Sequence, residues 1–179
     1  MRNAEILIHP HPVLRRKCVR AAGDPREEGL RRSLVEVLGS ARGAGLAAPQ
    51  IGVPLRAFAV AGDVLGEGWR TSVFVDPVIV ASSGAEVPGT EGCLSIPGQY
   101  AEIERPEKLR VKYLDENGQP QEIEADGLLA TCLQHEIDHL DGILFTDHLS
   151  SLKRDMVLRK LKKWTREHEE DMKERYVLP

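Results

Sequence analysis

The chain has 179 residues, 41% of them apolar and 29% charged, a composition that suits a soluble globular protein with a core of its own. A net charge of −4 argues against wholesale DNA binding, and no apolar run approaches the ~20 residues of a membrane-spanning helix. Met1-Arg2-Asn3-Ala4-Glu5 lacks the layout of a secretory signal, and three cysteines (Cys18, Cys93 and Cys132) exclude a disulfide framework, so one domain over 1–179 in the cytoplasm is expected.

Ile6 to Lys17 carries Pro10 and Pro12 and reads as an extended, turn-rich segment. Asp24-Pro25-Arg26-Glu27 marks a helix start. Asp24 can cap, Pro25 suits the first helical position, and Glu27 can close a capping box. Leu30, Leu34, Val37, Leu38 and Ala41 then line one face, and Gly43 and Gly45 are expected to stop the helix. From Arg56 to Glu124 the pattern turns to strands. Residues 57–60 and 73–80 are apolar runs, the second broken at Pro77. Leu109, Val111 and Tyr113 alternate with Arg110 and Lys112 as in a half-buried strand. A turn at 115–118 leads to a returning strand at 121–125. A helix is expected from about Gly127 to Leu140, terminated by Gly142, and a last one from about Ser150 to Tyr176. This order predicts an α+β domain, with short antiparallel strands around a central helix and a C-terminal helix.

The central helix carries the strongest chemical signal, Gln134-His135-Glu136-Ile137-Asp138-His139. Two histidines four residues apart share a face, so both imidazoles can reach one metal ion. Glu136 is offset around the helix, near the ion but free to handle protons, as a metal-dependent hydrolase requires. The flanking Leu128, Leu129, Leu133, Ile137 and Leu140 are apolar, and a buried helix with four ionisable groups is costly unless they pair or ligate. A catalytic site needs a third ligand. The spacing of Cys132 places it about 7.5 Å along the axis from the midpoint of the histidines, too far for one side chain. Cys18 follows a basic stretch with nothing else to recommend it. Cys93 lies beside Gly92, which permits close backbone approach, and is the best of the three candidates.

Three segments together resemble peptide deformylases: Gly43-Ala44-Gly45-Leu46-Ala47-Ala48-Pro49-Gln50-Ile51-Gly52, Glu91-Gly92-Cys93-Leu94-Ser95, and the histidine segment. The resemblance extends over nearly the whole chain. It implies removal of the formyl group from the N-terminal formylmethionine of nascent polypeptides. Cys93, His135 and His139 would bind one metal ion, ferrous iron, with nickel, cobalt or zinc able to substitute. Glu136 would act as general base and acid, and the Gln50 side chain and the Leu94 backbone N–H would hold the oxyanion. The substrate would lie as a short strand along Gly43 to Gly45 and Gly98 to Tyr100, with Ile51 and Ile137 lining a methionine pocket.

Two rivals use the same helix. A zinc endopeptidase would need a third ligand downstream: Phe145 occupies the place of the metzincin histidine, and Glu167, Glu169, Glu170 and Glu174, which a later helix would offer, read as a solvated face. A structural metal protein would close the site with a fourth residue, Glu91 or His148. Asp138 is expected either on a solvated face or paired with Arg105. The last helix carries Lys153, Arg154, Arg159, Lys160, Lys162, Lys163 and Arg166, which read equally as a solvated face or as a transient ribosome contact.

Overall fold

A computed structural model describes residues 5–168 and 176–177. In chain order its elements are β1 (Ile6–Leu7), α1 (Glu27–Ala41), β2 (Gly45–Ala47), β3 (Ala57–Val60), the single turn α2 (Gly62–Leu65), β4 (Ser72–Ser82), β5 (Glu86–Cys93), β6 (Ile96–Pro106), β7 (Lys108–Leu114), β8 (Pro120–Asp126), α3 (Gly127–Leu140), α4 (Ser151–Glu167) and β9 (Tyr176–Val177). Five strands form an antiparallel sheet in the order β2-β3-β4-β7-β8, β5 and β6 form a separate hairpin, and β1 pairs with β9 in parallel. This is the expected α+β class.

The sheet is the middle layer between two helices. Leu30, Leu34 and Leu38 of α1 pack on Ala57, Ala59, Val73 and Val75. On the other face Leu133, Ile137 and Leu140 of α3 meet Phe58, Val60, Phe74 and Val111. A strand buried on both faces must be apolar throughout, which explains the continuous run of β3. A third cluster, with Leu14, Ile96, Ile103, Phe145 and Leu161, fastens the hairpin and α4 to the rest.

Several boundaries differ from expectation for local reasons. Asp24 accepts the N–H of Arg26 at 2.9 Å and Glu27 accepts that of Gly23 at 3.1 Å, so the capping contacts form in the turn before α1 and the helix begins at Glu27. Its stop is Arg42, in the left-handed region at φ 54°, and not a glycine. Pro77 does not end β4; the pairing with β7 slips between Val75 and Val78, and the strand continues. Helix α3 spans the expected residues. Gly142 follows it at φ 75°, where a Cβ would stand 2.6 Å from the Arg15 carbonyl oxygen. Helix α4 is assigned to Glu167. His168 caps it, residues 169–175 lie outside the described ones, and Tyr176, the expected helix end, is in strand β9.

Candidate active site

Three chain segments converge between the sheet and the hairpin. The first is β2 with the 3-10 turn Ala48–Ile51 that follows it, the second is the tight turn from β5 into β6, and the third is the buried face of α3. They border a cleft of about 520 Å³ lined by Gly43, Gly45, Gln50, Cys93, Leu94, Gly98, Tyr100, His135 and Glu136.

Cys93 ends β5, while His135 and His139 lie one turn apart on α3. One donor atom from each falls within 4.8 Å of the others, and the Cys93 Sγ is 3.2 Å from His139 Nε2. Tetrahedral ligands at ~2.0–2.3 Å from an ion lie about 3.5 Å apart, so a thiolate and two imidazoles in this arrangement fit a first-row transition metal. His135 is further prepared for ligation because its Nδ1 faces Glu91 Oε2 at 2.9 Å, which leaves Nε2 for the ion. Burial holds His139 well below the ordinary histidine range, so it is neutral as a ligand must be. Burial also acts to lower His135, but hydrogen bonds with Cys93 and Glu91 outweigh it and hold its pKa well above that range, so an ion must displace a proton there.

A buried charge network supports this geometry. Arg105 on β6 makes a two-pronged pair with Glu91 and bonds Asp138 at 2.8 Å, and Asp138 also meets His148 Nε2 at 2.8 Å. Desolvation alone would raise Glu91, yet the hydrogen bonds from His135 and Arg105 bring it down to about 2. Arg105 therefore ties both strands of the hairpin to the metal-binding helix. Arg105→Ala leaves the Glu91 and Asp138 carboxylates with only their histidine partners. It should cost about 3–5 kcal/mol in urea unfolding and weaken metal binding about 10–100-fold in competition with a chelator. A variant as stable as the parent would show that water replaces the guanidinium.

Glu136 follows the first histidine and turns into the cleft wall. Its Oε2 is buried without a hydrogen-bond partner among the described residues. Gln50 is held by its own backbone neighbourhood: the Ala47 N–H donates to Oε1 at 2.8 Å, which fixes the amide orientation. Its Nε2 is thereby aimed at Ser95 Oγ, 3.1 Å away, and Cys93 Sγ, 3.5 Å away. Leu94 lies in the turn immediately after Cys93, and its side chain approaches Gly43.

A family model described as polypeptide deformylase matches residues 3–155. The chain belongs to the polypeptide deformylase family. Deformylase relatives are similar over most of their length. The peptide deformylase of Brucella suis is 48% identical over 161 residues, covering 88% of this chain and 91% of that protein. That of Mesorhizobium japonicum is 50% identical over 160 residues, covering 88% and 90%. The crystal structure of a peptide deformylase from Legionella pneumophila superposes with a TM-score of 0.85 at 46% identity, covering 92% of this chain and 96% of that one. A deformylase from Synechococcus elongatus in complex with actinonin gives 0.81 at 39% identity, covering 88% and 86%. Deformylases are hydrolases that take the formyl group from an N-terminal methionine, and the metal-binding group of this deformylase-family chain is the Cys93, His135 and His139 set.

The structure separates two of the residues expected at the site from the others. Ile51 packs in the α1-side cluster and Ile137 in the α3-side cluster, and neither is among the residues that line the cleft. Leu128, Thr131 and Cys132 from the first turns of α3 line it instead, and Trp164 of α4 stands at its border. Burial raises the Cys132 thiol, which stays protonated and inert. Ser95 was legible only as a neighbour of Cys93, and Glu91 only as that or as the fourth ligand of a structural site. The two rival readings lose their support: the third donor comes from the hairpin and not from a later helix, while Glu91 and His148 are engaged with His135 and Asp138.

Proposed function

We propose that the chain hydrolyses the formyl group from N-terminal formylmethionine using Glu136 to move protons and Gln50 with Leu94 to stabilise the oxyanion. The observation that carries the assignment of roles is the convergence of the thiol and two imidazoles beside a buried, unpartnered Glu136 carboxylate oxygen and a fixed Gln50 amide. The ion we assign is ferrous iron, one per chain, held by Cys93, His135 and His139, with nickel, cobalt or zinc able to replace it. When bound, it supplies Lewis acidity that makes water nucleophilic near neutral pH.

The chain's own groups perform the remaining steps. Strand β2 is the edge of its sheet, so an extended peptide can add to it along Gly43 to Gly45 while Gly98 to Tyr100 flank its other side. The methionine side chain then lies toward Leu128, Thr131 and Cys132 on α3. Glu136 accepts the proton of the attacking water and returns it to the departing amine. The Gln50 Nε2–H and the Leu94 N–H donate to the oxygen on which charge develops; preorganised donors of this kind are worth several kcal/mol in the transition state.

Formate release from formyl-Met-Ala-Ser tests the reading, with protein purified without oxygen and loaded with iron or nickel. Release should fall more than about 100-fold after chelation and return when the ion is restored. Loaded protein that releases no formate would overturn the assignment.

No helix among the described residues is long and apolar enough to cross a membrane. We place the enzyme in the cytoplasm, where formylated chains emerge. Lys153, Arg159, Lys160, Lys162, Lys163 and Arg166 are exposed on α4 and suit a transient contact with ribosomal RNA or protein. Reversing these charges should abolish salt-sensitive cosedimentation with ribosomes; unchanged cosedimentation would exclude that contact.

A further inference from the structure

Two aromatic side chains border the outer end of the cleft, and each lies against a glycine. Gly98 has φ 70°, and a Cβ there would stand 2.6 Å from Trp164 Nε1 and 2.8 Å from Cδ1. Gly92 is equally close to Tyr100, at 2.6 Å from Cε1. Trp164 reaches this position from the C-terminal half of α4, far in sequence from the other lining residues. Its indole is also stacked on His168, with ring centroids 4.3 Å apart and planes 14° from parallel. Held on two sides, the half-buried ring loses little freedom when something packs against its open part. Tyr100 is 70% exposed and completes the border. His135, His139 and Glu136 are buried at the inner end, so a peptide that runs along Gly98 to Tyr100 passes these rings as it leaves.

We propose that Trp164, together with Tyr100, forms a subsite for the side chain of one of the two residues after methionine, and that it favours large apolar or aromatic side chains there. The inference rests on the deformylase reading. Flat aromatic walls gain most from apolar area and ring stacking, while the cationic Arg42 at the same cleft disfavours lysine and arginine. A ring that served only to fasten α4 to β6 would be indifferent to the identity of the peptide.

The test is kcat/KM of the metal-loaded protein on two series, formyl-Met-X-Ser and formyl-Met-Ala-X, with X as Gly, Asp, Lys, Leu or Phe. The wild type should prefer Phe or Leu over Gly by about fivefold or more at one position, mainly through KM. W164A should bring that ratio close to one, and W164F should keep it. If W164A does not fold, W164L fills the space beside Gly98 without a flat face and should lose most of the preference for Phe. No preference in the wild type, or a ratio unchanged in W164A and W164L, would overturn the proposal. A uniform loss on every peptide would also overturn it, since that is the mark of packing alone. Release from no peptide at all by the wild type would instead defeat the deformylase reading, and this inference with it.

Discussion

Glu136→Gln should bind its metal ion as the parent does and release formate about 10²–10⁴-fold more slowly. The substitution keeps the size of a side chain that is 4% exposed, and it removes only the capacity to accept a proton. The measurement is kcat on protein whose metal content has been quantified, and a rate within threefold of the parent would assign proton transfer to another group. Burial pushes the Glu136 carboxyl up to about 7 in the protein alone; the neighbouring Glu91 and Asp138 act in the same direction, against His135 and Arg105. A bound divalent cation draws it back down. As pH falls through the resulting value the carboxylate takes up a proton and no longer serves as a base. The acid limb of kcat/KM is therefore expected below about 7, and it should be missing from the residual activity of the glutamine variant.

Gly45→Ala should approach the same loss without touching the catalytic group. A Cβ at this position would stand 2.5 Å from Glu136 Oε1 and 2.8 Å from its Cδ and Cγ, closer than any real contact. The backbone at Gly45 lies outside the left-handed region, so alanine is acceptable to the main chain, and the nearest atoms it meets are those of the glutamate. Glu136 has to swing away, and a displacement of about 1 Å at a reacting group costs on the order of 10²-fold. We expect a fall of that size in kcat, with metal content and unfolding midpoint close to the parent. A variant with full activity would show that the carboxylate works equally well from a shifted position.

The parts of this molecule that could be read from sequence are those whose physics is local. Helix α3 holds its period, its apolar flanks and its H-E-x-x-H chemistry within contiguous residues, so both its bounds and its role were legible. Strands β3 and β7 announced themselves by apolar run or alternation, and β8 by the turn before it. The β5–β6 hairpin did not. Its segment contains Pro88, Gly89, Gly92, Pro97 and Gly98, and half of β5 is exposed. That strand is held by cross-strand pairing with β6, which no pattern within β5 alone encodes. Residue chemistry could therefore rank Cys93 first among the cysteines but not place it, and the resemblance to deformylases supplied the placement. Ile137 failed for a different reason. It sits about 100° around the helix from Glu136, and an apolar residue in a motif turns to the sheet as readily as to the cleft. Trp164 carries no local signal of a place at the site, and only the close approach of Gly98 reveals that its ring borders the cleft.

The position of Cys93 would give a bound metal ion a second role. The thiol belongs to the hairpin, which is fastened through the third apolar cluster, while His139 lies 46 residues later on the helix that packs against the sheet. An ion held by both closes that stretch of chain into a ring, as a covalent cross-link would, and limits how far the two walls of the cleft can part. Oxidation of the one sulfur would break this latch at the same moment that it removes a ligand. Loss of the thiolate would thus act mechanically as well as chemically, by unfastening the hairpin side of the cleft.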